Sequence, residues 1–321
     1  MGWNSWNTFK DDFNQSTIEQ TADLLVSTGL RDAGYTILTL DDGWQATERS
    51  ADGRQQANLT KLPRGIKGVA DYLHAHGLQL GIYSDAGIHD CGFSPGSWGY
   101  EELDAATYAE WTVDYLKYDN CGGFAANVES PQCKTAYCLN TGYAGCSILT
   151  IIRKMREISA FQKPGSWADM DMLEIGNGNM TLHEQQTHQS FWAALKSPLI
   201  IGADLRALSN ESLDVLKNPE IIAISQDSLG EAVAYLENLS QEKESQVWAG
   251  PLTDDRIVIL AFNEGNSTTT ITIPLDEVPG VDGFQAFEVR DIWAKRDIPD
   301  VHGNLTVELE IHETKVFILQ P

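Results

Sequence analysis

Four short runs of this chain each end in a carboxylate: Leu38-Thr39-Leu40-Asp41-Asp42, Gly81-Ile82-Tyr83-Ser84-Asp85, Tyr115-Leu116-Lys117-Tyr118-Asp119 and Trp167-Ala168-Asp169-Met170-Asp171. Amphipathic stretches with helical spacing separate them. Strands that alternate with helices pair in parallel, because each crossover returns the chain to the same end of the sheet. Acids at the carboxyl ends of successive parallel strands then gather at one end of the sheet, where a β/α barrel places its active site. The predicted fold is therefore α/β, a (β/α)8-type (TIM) barrel, over residues 1–225.

Local signals fill in this outline. Ser16-Thr17-Ile18-Glu19 reads as a capping box opening a helix that stops at Gly29. Helices are expected over Gly65–His76, Leu103–Val113, Cys146–Ile158 and Leu182–Leu195. Strands are expected over Tyr35–Leu40, Leu78–Tyr83, Tyr115–Tyr118, Ser166–Ala168 and Ser197–Gly202. From about Gln226 the texture changes to short β-branched and aromatic runs broken by Gly, Asn, Asp and Pro. Arg256–Asn263, Thr268–Leu275, Phe287–Trp293, Leu305–His312 and Thr314–Leu319 predict a C-terminal antiparallel β-sandwich over 226–321, with no catalytic constellation in it.

The strand ends expose a shortfall. Trp6, Asp41, Asp85, Asp119, Asp171 and Asp204 mark successive units of roughly 35 to 45 residues, and the interval from Asp119 to Asp171 holds one long unit, not three. Six strands are legible where a closed barrel has eight, so two βα units, about 60 residues, are wanting.

Composition narrows the chemistry. A net charge of −24 and a pI of about 4.5 disfavour nucleic acid, anionic membrane and phosphorylated substrates, and leave neutral small molecules such as sugars. No run approaches a membrane span. Five Cys and seven Asn-x-Ser/Thr sequons (Asn14, Asn58, Asn179, Asn210, Asn238, Asn266, Asn304) tilt the reading to a secreted glycoprotein whose signal peptide is not in this sequence. The Asp169-Met170-Asp171 metal motif is weak. His183 and His188 are five residues apart, which misaligns them for zinc on a helix. No metal or cofactor is expected, and the oligomeric state is not legible.

Read from the residues, Asp119 is a nucleophile candidate, with Lys117 on the same face of its strand to favour the ionised form; alternatively the two merely pair. Asp41 and Asp42 are suited to grip adjacent sugar hydroxyls; the alternatives are a helix cap or a metal site.

Taken together, the blocks Met1-Gly2-Trp3-Asn4-Ser5-Trp6, Asp41-Asp42-Gly43-Trp44, Leu80-Gly81-Ile82-Tyr83-Ser84-Asp85, Leu116-Lys117-Tyr118-Asp119-Asn120-Cys121, Asp169-Met170-Asp171-Met172-Leu173-Glu174 and Lys196-Ser197-Pro198-Leu199-Ile200-Ile201-Gly202-Ala203-Asp204 resemble glycoside hydrolase family 27, in its fungal α-galactosidase (melibiase) branch. Order and spacing agree along nearly the whole chain. The resemblance implies retaining hydrolysis of terminal α-galactosides, with Asp119 as nucleophile and Asp41, Asp42 and Lys117 on the galactose hydroxyls. It also implies Trp6 and Tyr83 as pocket aromatics, Asp171 as a further pocket acid, and disulfides Cys91–Cys121 and Cys133–Cys138, with Cys146 left over.

The chain departs from the family pattern where the strand count fails. The fifth strand, and the sixth with its general acid/base Asp, have no counterpart, and the text runs through Gln132-Cys133 into the middle of the fungal cysteine loop. The residues that read the sugar's 2-position belong to the same segment, so galactose and N-acetylgalactosamine are not told apart. The alternatives to a hydrolase are a galactose-binding protein without turnover and a fragment that does not assemble.

Overall fold

The computed structural model describes residues 1–121, 147–282 and 285–320. Cys133, Cys138, Cys146 and the Gln132–Cys133 junction lie outside them. The chain divides into two compact units, Met1–Gln132 with Ile200–Leu208, and Cys133–Leu199 with Ser209–Pro321.

The first unit carries a five-stranded parallel sheet. Its strands are β1 (Gly2–Asn4), β2 (Ile37–Leu40), β3 (Gln79–Asp85), β4 (Tyr115–Asp119) and β5 (Ile200–Ile201), in the order β4-β3-β2-β1-β5. The helices are α1 (Trp6–Phe9), α2 (Gln15–Ser27), α3 (Gly65–Ala75) and α4 (Glu101–Glu110). α2 and α3 turn Ile18, Ala22, Leu25 and Ile66, Val69, Leu73 to the core, as the 3.6-residue period dictates. α2 is capped by Asn14, whose side chain accepts from the Thr17 amide, and not by the predicted Ser16 box. An Asn cap two residues earlier serves the orphan amides of the first turn.

Gly2 is dictated by sheet geometry. A Cβ there would stand 2.3 Å from the carbonyl oxygen of Ile37, its partner across the β1–β2 ladder. Backbone in a ladder cannot yield without losing its hydrogen bonds. Gly2→Ala is therefore expected to destabilise the chain by about 1–3 kcal/mol, read as a lower denaturant midpoint; an unchanged midpoint would refute this account.

Among the described residues the sheet does not close. β4 has β3 as its one neighbour and β5 has β1. Tyr115, Leu116 and Tyr118 of β4 are 36%, 39% and 47% exposed, whereas strands inside a closed parallel barrel are covered on both faces. The predicted strand Ser166–Ala168 is not one. Its only pairing is an isolated bridge between Lys163 and Ser166. A two- or three-residue strand exists only by ladder bonds to a neighbour, and among the described residues Ser166–Ala168 has no strand beside it.

The second unit contains α5 (Ile148–Ile158), α6 (Leu182–Ala194), α7 (Asn210–Leu216) and α8 (Pro219–Ser225), then strands β6 (Ala234–Tyr235), β7 (Ser245–Pro251), β8 (Ile257–Asn263), β9 (Thr269–Pro274), β10 (Phe287–Asp291), β11 (Arg296–Val301), β12 (Asn304–Leu309) and β13 (Thr314–Gln320). A six-stranded sheet, β11-β10-β13-β8-β7-β6, lies over the β12-β9 pair. Val247, Ile259, Val289 and Phe317 meet Ile271, Ile273, Leu305 and Val307 in one apolar core. α6 covers the outer face, with Phe191 packed edge-on against Trp248 and Phe262 at 5.6 and 5.4 Å. All five predicted C-terminal strands are present. β6, β7 and β11 were missed, because β6 is two residues long, β7 is buried on both faces and shows no alternation, and β11 holds a proline.

Candidate active site

Register places the chemistry. In parallel strands, residues level with one another point to the same side of the sheet. Thr39 is level with Gly81, and Gly81 with Tyr115. Two residues further on, Tyr83 is level with Lys117, and Asp41, just past the Leu40–Ile82 pair, joins that rung. Asp85 and Asp119 form the last rung. The strand ends therefore bring together Asp41, Tyr83, Lys117 and Asp119. Gly81 is required here, since a Cβ would lie 2.4 Å from Thr39 Oγ1 and 3.0 Å from the Tyr115 ring.

Asp41 is the hub. Its Oδ2 accepts from Lys117 Nζ at 2.6 Å and from Asn4 Nδ2 at 2.7 Å, and its Oδ1 accepts from the Asp42 amide at 2.9 Å. Its own amide donates to Ser5 Oγ at 3.0 Å. Lys117 thus makes an ion pair with Asp41, besides standing on the same face of β4 as Asp119. The cause is reach: a lysine in the middle rung spans Tyr83 to the carboxylate at the far end of the same rung, and its ammonium stands over the Tyr83 ring at 5.6 Å. Trp6, at the start of α1, is half-buried; its amide donates to Asn4 Oδ1 at 2.8 Å, and Lys10 Nζ sits over its ring at 5.2 Å.

Asp119 is half-buried, with Oδ1 accepting from the Asn120 amide at 2.8 Å and Oδ2 lying 3.9 Å from Cys91 Sγ. Tyr83 donates its hydroxyl to the same sulfur at 3.0 Å, and burial raises its pKa so that it stays neutral. Trp44 Nε1 donates to the Tyr83 carbonyl at 2.8 Å. The Cys91–Cys121 disulfide is formed and ties the loop after β3 to the end of β4. Asp85, fully buried, reinforces that tie by accepting from the amides of Gly87 and Cys121 at 2.7 and 2.6 Å. Its neighbours Cys91 and Cys121 are spent on the disulfide, so this group does not form a thiolate metal site.

Asp42 is 3% exposed, and among the described residues neither of its oxygens meets a hydrogen-bond donor in good geometry. Burial, then the negative charges of Asp90 and Asp41, push its pKa up to about 7 against the pull of the Gly43 amide.

Asp171 lies in the second unit. Its φ is +72°, its Oδ1 accepts from the Met172 amide at 2.7 Å, and its carbonyl accepts from Trp192 Nε1 at 2.6 Å. His188 is fully buried. Its Nε2 accepts from the Glu174 amide at 2.9 Å, its ring lies edge-on to Trp192, and burial lowers its pKa to about 3. It is a neutral packing residue. Sequence reading missed Asn4, Ser5 and Asp90. The first two sit inside a quoted motif beside Trp6; Asp90 follows no pattern that periodicity reveals.

Comparisons with known proteins bear on the whole chain. A family profile described as alpha galactosidase A matches residues 1–150 and 146–227, and one described as the alpha galactosidase C-terminal beta sandwich domain matches 242–319. An alpha-galactosidase of Cyamopsis tetragonoloba is 36% identical over 358 aligned positions, covering 100% of this chain and 86% of its own. Among solved structures, alpha-galactosidase I from Mortierella vinacea superposes with a TM-score of 0.91 at 31% identity, over 99% of this chain and 96% of that one. The alpha-galactosidase of Saccharomyces cerevisiae, solved with raffinose, does so at 0.87 and 27% over 100% and 97%. The chain belongs to the α-galactosidase (melibiase) family, with an α/β barrel-type catalytic fold followed by a β-sandwich.

Proposed function

We propose that this chain is an α-galactosidase-type retaining hydrolase whose pocket holds a terminal α-galactosyl residue at the carboxyl ends of β2, β3 and β4. The observation that carries this reading is the Asp41–Tyr83–Lys117 rung with Asp119 one rung beyond it. Asp41 and Asp42 accept from the sugar hydroxyls, Lys117 donates, and Trp6 and Tyr83 provide apolar walls. Asp119 attacks the anomeric carbon, the bond to the leaving oxygen breaks, and a β-galactosyl ester forms that water then hydrolyses. The domain boundary at 225/226 belongs to this reading.

The proposal includes an interrupted barrel. The alignment with the plant relative spans 358 positions against the 321 residues here, and the family match comes in two pieces meeting at 146–150. The first supports residues lacking relative to that protein, and the second supports a break near 146–150. The family's acid/base falls in the lacking segment, so the leaving oxygen departs unprotonated, and the help forgone is typically 10²–10⁴-fold.

The test is single-turnover kinetics on dinitrophenyl α-galactoside, whose leaving group needs little protonation. A burst of about one equivalent with slow release supports the reading. Galactose binding without a burst supports a binding protein that has lost turnover. Neither burst nor binding defeats the proposal and leaves an unassembled fragment.

Among the described residues no helix is long and apolar enough to cross a membrane. Six of the seven sequon asparagines are exposed, and Asn58 is half-buried. We propose a secreted glycoprotein. Secretion from a eukaryotic host is expected to yield a band that shifts down on amidase deglycosylation; an unshifted band removes this reading.

A further inference from the structure

Beside the sugar-facing rung the loop after β3 folds over Asp42. Gly92 lies so close that a Cβ there would stand 3.0 and 3.2 Å from the two Asp42 carboxyl oxygens. Asp90 opens this loop. Its Oδ1 accepts from the amides of Gly92 at 3.0 Å and Ser94 at 2.7 Å, and its amide donates to the Ser94 carbonyl at 2.9 Å. These bonds fix the carboxyl, and the Cys91–Cys121 disulfide anchors the loop from the next residue. Asp90 is 2% exposed and Asp42 3%. Among the described residues, Asp90 Oδ2 and both Asp42 oxygens are buried and no donor reaches them in good geometry. Carboxyl oxygens gathered in one buried place repel one another when both groups are ionised. Two carboxyls so placed relieve that repulsion by holding a proton between them.

We infer that Asp90 is a positioning residue for Asp42: the two buried carboxyls share one proton, which pins Asp42 at the end of β2 and makes the pocket's grip on galactose depend on pH. The inference deepens the α-galactoside reading and rests on it for the ligand. The shared proton sits on Asp42 and is donated to Asp90, whose own pKa is also raised, first by burial. The other charged and titratable groups around the pair are Asp41, Asp85, Tyr83, Lys117 and Lys61. Asp41 and Asp85 oppose ionisation, Asp41 at Asp42 and Asp85 at Asp90. Tyr83 stays neutral. Lys117 is engaged by Asp41, and Lys61 donates to the Gly43 carbonyl at 3.0 Å. Once the proton leaves, Asp42 is a charged acceptor for sugar hydroxyls, and bonds to charged acceptors are about twice as strong as neutral ones.

Stability carries the same sign. Asp42 titrates at an ordinary carboxylate value when unfolded and near 7 when folded, so between those limits the folded state binds more protons. The stabilisation from its protonation is complete at low pH and is lost as pH rises through about 7.

The experiment compares the wild type with Asp90→Asn and Asp42→Asn, each checked by circular dichroism. Infrared difference spectra of the unliganded proteins across pH 5 to 8 read the protonated carboxyl directly, and calorimetry with galactose across the same range reads affinity. The wild type is expected to show a carboxylic C=O band that titrates near neutrality, and galactose affinity about tenfold weaker at the acid end. In Asp90→Asn the band and the affinity change both move to lower pH, and in Asp42→Asn the band is absent. A wild type without the band, or one whose band is untouched in Asp90→Asn, overturns the inference. So does an affinity that varies equally in the wild type and Asp90→Asn. A band that behaves as stated in a protein that binds no galactose overturns the α-galactoside reading and leaves the shared proton standing.

Discussion

Replacing Asp119 by Asn is expected to eliminate the dinitrophenyl burst, with a fall in rate on the order of 10⁴-fold or more, while the denaturant midpoint stays within experimental scatter. Asp119 stands at the end of β4, half-buried, with one oxygen on its neighbour's amide and the other toward the disulfide. An amide of the same shape keeps that contact and loses the nucleophilic lone pair. The decisive companion is Asp119→Gly with added azide. A small anion entering the space of the lost carboxylate attacks the anomeric carbon from the same face, and the product is β-galactosyl azide. Recovery of that product identifies Asp119 as the nucleophile. Residual activity in Asp119→Asn well above background, or α-configured azide, assigns the attack to another group.

The second large effect is expected at Asp41. Asp41→Asn presents an amide to Lys117, Asn4 and the Asp42 amide, all donors to the present carboxylate. An amide has one acceptor atom where the carboxylate has two, so at least one donor loses its partner. Removing one member of a buried pair leaves the other charge uncompensated, which costs several kcal/mol when both are enclosed. Here the Lys117 side chain is 32% exposed and that of Asp41 3%, so solvent relieves part of the loss and about 1–3 kcal/mol is expected. Affinity suffers more, since Lys117 and Asp42 both lose their alignment: galactose binding is expected to weaken about 100-fold. Calorimetry alongside thermal unfolding separates the two. Affinity within threefold of wild type would show that this rung is not the sugar's grip.

Much of this arrangement was legible from the chain. Strand and helix periods, with Gly29 as a stop, located β2, β3 and β4, and the acids at their ends marked the candidate site. The partner of Lys117 was not legible, because it depends on register across three strands and not on spacing within one. Asp90 was invisible for a related reason. It sits in a loop, and its meeting with Asp42 is set by how that loop closes. Ser166–Ala168 reads as a strand by composition, but composition does not supply the neighbour that a strand needs.

The sheet order has a consequence for synthesis. β1 is made first, yet the neighbour on its outer side is Ile200–Ile201, paired with Gly2 and Trp3. At about 5–20 residues per second a ribosome needs about 10–40 s to deliver that segment. Through this interval the nascent sheet has two unfinished borders, one of which is provided for only at residue 200. Translation speed and chaperone occupancy over that window, more than the final stability, are expected to set the yield of folded protein.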